Sequence, residues 1–470
     1  MAFNAIEYVI ITLFLGYMLI TTCWYLALNG IAMNTLFRYM QVSRDDDNEL
    51  LLSGNEPPIS LIIPAYNEAS TIISSIRSLQ QLYYSDFELI VVNDGSSDAT
   101  LEVLREEFDL IPFPEAFNIR IPTQPIKQVY VSRKKHNLRV LDKENGGKAD
   151  ALNAGINVSR YPLVCCVDAD SILERYSLLR VVQPFINNPE VVACGGTVRI
   201  ANGCTVRSGH LVRKGLPRNP LALLQLLEYL RGFLYGRIGW ARLNGLLIIS
   251  GAFGMLRKDA IIKIGGYDSQ TVGEDMELIV RLHRILSAEN VDYRVEFIPD
   301  PICWTEVPEK LRVFASQRVR WHRGLSESLW MNRGLLFSRH SGPGGWLAFP
   351  FFILFEWMSP FVEILGYVFT LYLIIMGKVH LSVAVLFFLF AIGLSVLLST
   401  NALLLDEITF RGISKVRHLP VLFACSFLEC IGYRQINAYY RIIGALKWLT
   451  GSHADWGKMV RSGSWQRHKS

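Results

Sequence analysis

The chain has 470 residues, 51% of them apolar, with a formal net charge of +5 and a positive mean hydropathy. That balance excludes a wholly soluble protein of ordinary composition, and no acidic or basic tail is long enough to imply a nucleic-acid partner. Eight scattered cysteines without a Cys-x-x-Cys pair exclude a disulfide framework or zinc site and fit a reduced, cytosolic body.

No charge stands between Glu7 and Arg38, and Tyr8 to Met33 is long enough to cross a hydrocarbon core of about 30 Å. Without a basic n-region or a clean cleavage site, residues 1–37 read as a retained transmembrane anchor. Arg38 and Arg44 follow it, so the positive-inside rule predicts an amino terminus outside and a cytoplasmic body over 38–345. An acidic linker, SRDDDNELLLSGNEPP, is expected to separate the two.

SLIIPAYNEAS predicts a strand over Ser60–Ile63 that passes through a polar turn into a helix. FELIVVNDGSSDAT repeats the plan: a strand over Glu88–Val92, a turn at Asp94 and Gly95, and a helix capped by Ser96 or Ser97. Two such units in succession predict a parallel sheet with right-handed crossovers. Residues 106–137, with four prolines and the cluster Arg133, Lys134 and Lys135, read as an irregular edge insertion. Strand-like LRVLD then leads to KENGGKADALNAGI, where Gly146 and Gly147 allow a tight turn. Lys148 begins a helix there, either as a solvated charge or as a phosphate contact, and the spacing is not that of a Walker loop.

In YPLVCCVDADS a buried strand stops at Asp168 and Asp170. Carboxylates just past such a strand sit at the ligand-binding edge of a parallel sheet and suit a hard divalent cation. The same residues also suit an Asx turn or a cap before a helix from about 172. VVACGGTVRI is a further strand, followed by a basic loop with Arg199, Arg207, Arg213, Lys214 and Arg218. Leu223, Leu226, Leu227, Leu230 and Leu234 share one helical face, suited to the membrane interface or to a core.

GLLIISGAFGMLRKDAIIKIGGYD reads as strand, turn and helix, and SQTVGEDMELIVRLHRIL starts a helix with Glu274 and Asp275, where acids favour the positive helix end. VEFIPDPICWTEVPEK returns to the sheet. In LRVFASQRVRWHRGLSESLW, Gln317, Arg320 and Trp321 share one helical face, and Arg312, Arg318 and Arg323 are placed to meet phosphate or anionic headgroups.

Over 346–447 the apolar stretches Trp346 to Gly377 and Val379 to Leu405 predict a tight helical hairpin. Glu356 and Glu363 lie two turns apart on its first arm and are expected to line a polar passage, because acids in a membrane helix face protein or water. A third stretch, Leu419 to Leu446, carries Glu429, Arg434 and Arg441. If it spans, the basic tail 448–470 ends outside; if it is interfacial or re-entrant, the tail stays inside.

PAYNE (64–68), VNDGSSD (92–98), NGGKADALNAG (145–155), DAD (168–170), GED (273–275) and QRVRW (317–321) together resemble the membrane-embedded processive family 2 glycosyltransferases, and in that family's order. Cellulose, chitin, hyaluronan and bacterial poly-N-acetylglucosamine synthases share this plan. The resemblance implies an α/β GT-A nucleotide-sugar-binding domain with interfacial helices, fused to an α-helical transmembrane region. It implies that Ala65, Glu68 and Asp94 bind uridine, that Lys148 contacts the diphosphate, and that Asp168 and Asp170 hold UDP and a Mg²⁺ or Mn²⁺ ion. Asp275, beside Glu274, would be the general base, and Gln317, Arg320 and Trp321 would hold pyrophosphate and the acceptor sugar. Gly273 stands where the family often has threonine.

The implied activity is inverting transfer from UDP-N-acetylglucosamine or UDP-glucose onto a growing polysaccharide, processive and coupled to translocation across the plasma membrane. The implied partners are the polymer, the lipid bilayer and accessory membrane or periplasmic export subunits. A non-processive transferase acting on a lipid carrier or short acceptor shares the fold, and Gln317 to Trp321 is the feature against it. A pore or scaffold subunit with an inactive domain is opposed by the retention of every motif carboxylate.

Overall fold

The computed structural model describes residues 4–50, 56–114, 116–207, 210–410 and 418–451. Helix α1 (Ala5–Leu50) is apolar enough over Ala5–Gln41 to cross a membrane. It does not stop at the acidic segment expected to be a linker. No Gly or Pro stands between Gly30 and Gly54, so the helix runs through to Leu50.

The body is built on one ten-stranded sheet. Its parallel centre comes from β1 (Ile59–Ala65), α2 (Ile72–Leu79), β2 (Phe87–Asp94) and α3 (Thr100–Phe108). The strands are buried on both faces, which is why they read as continuous apolar runs rather than alternating ones. The stretch expected to be an irregular insertion is an ordered edge: β3 (Leu110–Pro112) and β4 (Ile126–Ser132) pair antiparallel with each other, and β4 pairs with β5 (Leu138–Lys143). Helix α4 (Lys148–Val158) then leads to β6 (Leu163–Val167), parallel to β1.

After β6 the chain forms β7 (Ile172–Leu173), not the expected helix, because these two residues pair with the far strand of the sheet; helix α5 begins only at Ser177 and ends at Asn187. Strand β8 (Val191–Ile200) is followed by a two-stranded ribbon, β9 (Thr205–Arg207) and β10 (His210–Arg213), in place of the expected basic loop. Arg199 is buried against Asp406.

Asn219 caps α6 (Pro220–Arg231) by accepting from the Leu221 and Ala222 N–H groups at 2.9 and 3.2 Å, with Pro220 in the first turn. A π-turn, 232–237, joins it to α7 (Ile238–Arg242), and this unit packs between the sheet and the membrane helices. Residues 244–250 form no strand; β11 (Phe253–Arg257) starts after the expected turn, antiparallel to β6 and β8, and runs into α8 (Lys258–Lys263). Helix α9 (Glu274–Ala288), β12 (Arg294–Thr305) parallel to β8, and α10 (Leu311–Met331) complete the body.

Beyond it, α11 (Phe349–Phe351) lies between two π-turns and precedes α12 (Ser359–Ile375), α13 (Leu381–Phe410), α14 (Leu419–Leu428) and α15 (Arg434–Leu449). The α12–α13 hairpin is as expected, with Lys378 at its turn paired to Glu7 of α1. Its first arm is not one straight helix: it bends by 41° at Met358, before Pro360. Two helices are long and apolar enough to cross a membrane among the described residues, or three if that bent pair is one span. The third apolar stretch breaks at Ile431 and Gly432, the latter at φ 91°. Helix α15 then lies along α10, so close that a Cβ on Gly444 would come within 2.5 Å of the Val319 carbonyl oxygen. The basic tail from residue 452 lies outside the described residues.

Candidate active site

The parallel strands end at one edge of the sheet. Ala65 is level with Asn93, and Asp94 with Lys143, so the turns after β1, β2 and β5 meet there with Asp168, which follows β6 directly. The first two turns are sewn together. Asn67, at φ 57°, donates its N–H to Ser96 Oγ (3.0 Å), and its Oδ1 accepts from the Ser97 N–H (2.8 Å). Both serines are therefore used across the turn and neither caps α3; Asp98 accepts the Thr100 N–H at 3.0 Å in their place.

Ala65, Glu68 and Asp94 line the cavity above this edge. Glu68 is bonded to the Thr71 hydroxyl. Asp94 accepts from Lys143 Nζ (2.6 Å), the Gly146 and Gly147 N–H groups (3.0 and 2.8 Å) and Asn145 Nδ2 (3.2 Å). A carboxylate offers about four acceptor directions, so Asp94 is spent on shaping the loop that delivers Lys148.

Lys148 stands where three motifs meet. Its Nζ lies 2.6 Å from Asp168 Oδ1, 3.5 Å from Glu274 Oε1 and 3.5 Å from the Gly251 carbonyl oxygen. Burial works against its charge, but Asp168, Glu274 and Asp275 outweigh burial and leave its pKa raised. Asp275 accepts the Gly251 N–H at 2.9 Å on Oδ2 and its neighbour's N–H, that of Met276, at 2.8 Å on Oδ1. Gly251 packs tightly here: a Cβ there would sit 3.1 Å from Lys148 Nζ and 3.3 Å from Asp275 Oδ2, so both groups would have to give way. The irregular run 244–250 carries Gly251 into place. His283 anchors that run through Nε2 to the Leu246 carbonyl oxygen (2.9 Å), and burial pushes its pKa down to about 4, so it stays neutral.

Glu274 is buried. Burial first, then the charge of Asp275, raise its pKa to about 6 against the pull of Lys148. A carboxyl whose folded pKa exceeds its unfolded value favours the fold only while protonated, so ionisation between 4.5 and about 6 costs stability. Glu274→Gln is therefore expected to raise stability by on the order of 2 kcal/mol above pH 6, with the gain vanishing below the unfolded pKa. Thermal melts of both proteins from pH 4 to 8 check this; a gain independent of pH is the contrary result.

On α10, Gln317, Arg320 and Trp321 all line the same cavity, as their shared face predicts. Gln317 is buried with Oε1 lacking a hydrogen-bond partner, and Trp321 is 43% exposed. Arg318 and Arg323 do not meet anionic headgroups: Arg318 is buried against Glu228 and stacks on Phe314 and Trp321, and Arg323 pairs with Glu327 at 2.7 Å. Arg312 is exposed.

Glycine at 273 has a physical reason. It presses against Gly324 of α10, where a Cβ on either residue would come within 2.8 Å of the other's Cα. Glu327 Oε2 accepts from the Thr271 hydroxyl and the Val272 N–H, both at 2.9 Å, which locks the start of α9 to α10.

A cavity of 2170 Å³ begins at Lys148, Asp168 and Asp170, passes Asp275 and Trp321, and continues among the membrane helices to Ala384 and Phe388 of α13. Glu356 and Glu363 both line it, as expected of a polar passage. Glu356 meets Arg441 (3.5 Å) and the Tyr25 hydroxyl (2.9 Å); Glu363 meets Arg434 (3.2 Å) and the Tyr367 hydroxyl (2.9 Å). Among the described residues no group of three or more His, Cys, Asp or Glu side chains forms a metal cage. The pair Asp168 and Asp170, both partly exposed to the cavity, fits a cation that takes one or two carboxylates and fills its shell with phosphate oxygens and water.

The Glycosyl transferase family 2 model matches residues 60–265, and that of Glycosyl transferase family group 2 matches residues 163–398. The poly-beta-1,6-N-acetyl-D-glucosamine synthase of Staphylococcus epidermidis is 29% identical over 296 residues, covering 62% of this chain and 61% of its own. That of Staphylococcus aureus (strain COL) is 30% identical over 295 residues, covering 62% and 59%. The chain thus spans about three fifths of the length of the curated relatives it matches. A mannosyltransferase from Pyrobaculum calidifontis, solved in complex with GDP-Man and Mn²⁺, superposes over 91% of this chain and 100% of its own with a TM-score of 0.51 at 16% identity, which shows the shared GT-A-like fold. With its strand-end motifs gathered at one edge and half its length matched by the family model, the chain belongs to the family 2 glycosyltransferases.

Proposed function

We propose that the protein is an inverting, metal-dependent polysaccharide synthase that uses UDP-N-acetylglucosamine and passes its β-linked product processively through its own membrane helices. The observation that carries this is the single cavity joining Lys148 and Asp275 to Glu356 and Glu363. The similarity to poly-beta-1,6-N-acetyl-D-glucosamine synthases supports the choice of sugar over UDP-glucose.

In this reading the uridine lies over Ala65 and Glu68, with Asp94 shaping the loop beneath, and the diphosphate lies beside Lys148. Asp168 and Asp170 hold Mg²⁺ or Mn²⁺, which when bound neutralises charge on the departing UDP. Lys148 and Arg320 add positive charge where the leaving diphosphate becomes more negative. Asp275, held by the Gly251 N–H, takes the proton of the acceptor hydroxyl as that oxygen attacks the anomeric carbon opposite UDP. One displacement inverts the α-linked donor to a β-linkage. Glu274 holds Lys148 from the buried side. Trp321 offers its face to the acceptor ring, and Gln317 Oε1 awaits a donor from it.

Beyond Trp321 the arginines at 231, 434 and 441 each face a glutamate, so this part of the passage wall is neutralised and suits an uncharged polymer. Arg38 and Arg44, which follow the apolar part of α1, support a cytoplasmic catalytic domain over 38–345, with 346–447 as the membrane and interfacial helices.

The test is UDP release by the purified full chain in detergent with Mg²⁺ or Mn²⁺, offered UDP-N-acetylglucosamine or UDP-glucose separately, followed by sizing of the product. Release with the former and a high-molecular-weight β-linked product is expected. Products that stop at one added sugar overturn processivity, and release only with UDP-glucose overturns the donor.

A further inference from the structure

The π-turn 232–237 has no role in the chemistry described so far. It packs against α1, β8 and β12, on the membrane side of the sheet rather than beside the nucleotide loops. Phe233, Leu234 and Tyr235 are buried in the core, and the Tyr235 hydroxyl donates to the Leu398 carbonyl oxygen of α13 at 2.5 Å. Gly232, Gly236 and Arg237 line the cavity, joined there by parts of Phe233 and Tyr235. A Cβ on Gly232 or on Gly236 would meet nothing within 4 Å, so both glycines leave open space where side chains would stand. π-turns of this kind recur at functional sites because the extra residue re-aims the side chains that follow.

Arg237 differs from the other cations of the passage. Arg231, Arg434 and Arg441 each have a glutamate; among the described residues Arg237 has no ion-pair partner, and its Nη1 is buried without a hydrogen-bond acceptor. Its guanidinium lies 3.9 Å from the centre of the Phe233 ring, which holds the plane in place and leaves Nη1 unmet. Burial lowers its pKa to about 10 against the opposing influence of Asp275, so it stays charged at neutral pH. A buried donor left unmet costs free energy that a ligand oxygen recovers. A diphosphate is already met by Lys148 at the far edge. What passes this wall on the way from Asp275 to the membrane is the sugar chain.

We propose that Gly232, Gly236 and Arg237 form the subsite for the sugar unit behind the acceptor in the growing chain, with the glycines making room for the ring and the Arg237 guanidinium donating to its hydroxyl and amide-carbonyl oxygens. This rests on the synthase reading above. It makes Arg237 a determinant of acceptor affinity and chain length, separate from the donor site.

The test uses the full chain in detergent with UDP-N-acetylglucosamine and short N-acetylglucosamine oligomers as acceptors. Arg237→Gln is expected to raise the acceptor KM about tenfold or more, the loss of a hydrogen bond to a charged donor, and to shorten the product, with the UDP-sugar KM within about twofold of wild type. Gly236→Leu keeps the arginine and fills the space, and is expected to give the same acceptor-specific loss. An unchanged acceptor KM in both variants overturns the subsite. So does an equal rise in donor and acceptor KM, or a displaced pH profile without an acceptor effect, which would mean that Arg237 acts on Asp275. Wild-type protein that releases no UDP with any donor overturns the synthase reading and the subsite together.

Discussion

Asp275→Asn is expected to lower kcat by about 10²- to 10⁴-fold, the contribution typical of a general base, while UDP-sugar binding stays near that of wild type. Asparagine keeps the shape of the side chain, and its carbonyl oxygen still accepts the Gly251 N–H at the loss of the Met276 N–H contact, so Gly251 and the Lys148 beside it are left in place. What it lacks is basicity. The acceptor hydroxyl then has no carboxylate to receive its proton, and a bound donor waits unreacted. UDP release at saturating donor, with binding measured separately by calorimetry, distinguishes the two quantities. Near-normal turnover in the variant would remove Asp275 from the chemistry and leave Glu274, buried and against Lys148, as the remaining motif acid.

Lys148→Met is expected to reduce kcat/KM by at least about 10², because in the proposed mechanism it removes a fixed positive charge from the place where the leaving group gains negative charge. The loss is compounded by what remains. Asp168, Glu274 and Asp275 are left around an apolar side chain, and Glu274, whose pKa Lys148 now holds down, moves above about 6 and takes up a proton nearer neutrality. Lys148→Arg is expected to rescue poorly, since Gly251 and the three carboxylates already enclose the ammonium group closely. Initial rates against donor concentration check both variants, and a methionine variant within about threefold of wild type would sink the role.

Much of this architecture could be read from residue types alone. The apolar runs ending in Asp94 and Asp168 announced parallel strands and their ligand edge, and the 317, 320, 321 spacing announced one helical face. What escaped the reading depends on contacts distant in sequence. Gly251 matters only because Lys148 and Asp275 flank it, and Gly273 only because Gly324 lies against it. The arginines of α10 looked outward by composition, but Arg318 is turned inward by Glu228, ninety positions earlier in the chain. Residues 106–137 looked irregular because prolines hid two short strands, β3 and β4, which pair with each other and, through β4, with β5. Arg237 carried no signal, because an unmet donor is a property of its surroundings.

The close approach of α15 to α10 at Gly444 has a mechanical meaning. One helix carries Gln317, Arg320 and Trp321, and the other carries Arg434 and Arg441, which hold Glu363 and Glu356 in the membrane wall. At Gly444 backbone meets backbone with no side chain to yield, and Phe314 against Tyr440 and Trp330 against Trp448 brace the seam on either side, so the two helices are stiffly coupled. In the proposed synthase, a displacement at Gln317 and Trp321 would pass through this contact to Glu356 and Glu363, keeping acceptor grip and cavity wall in phase.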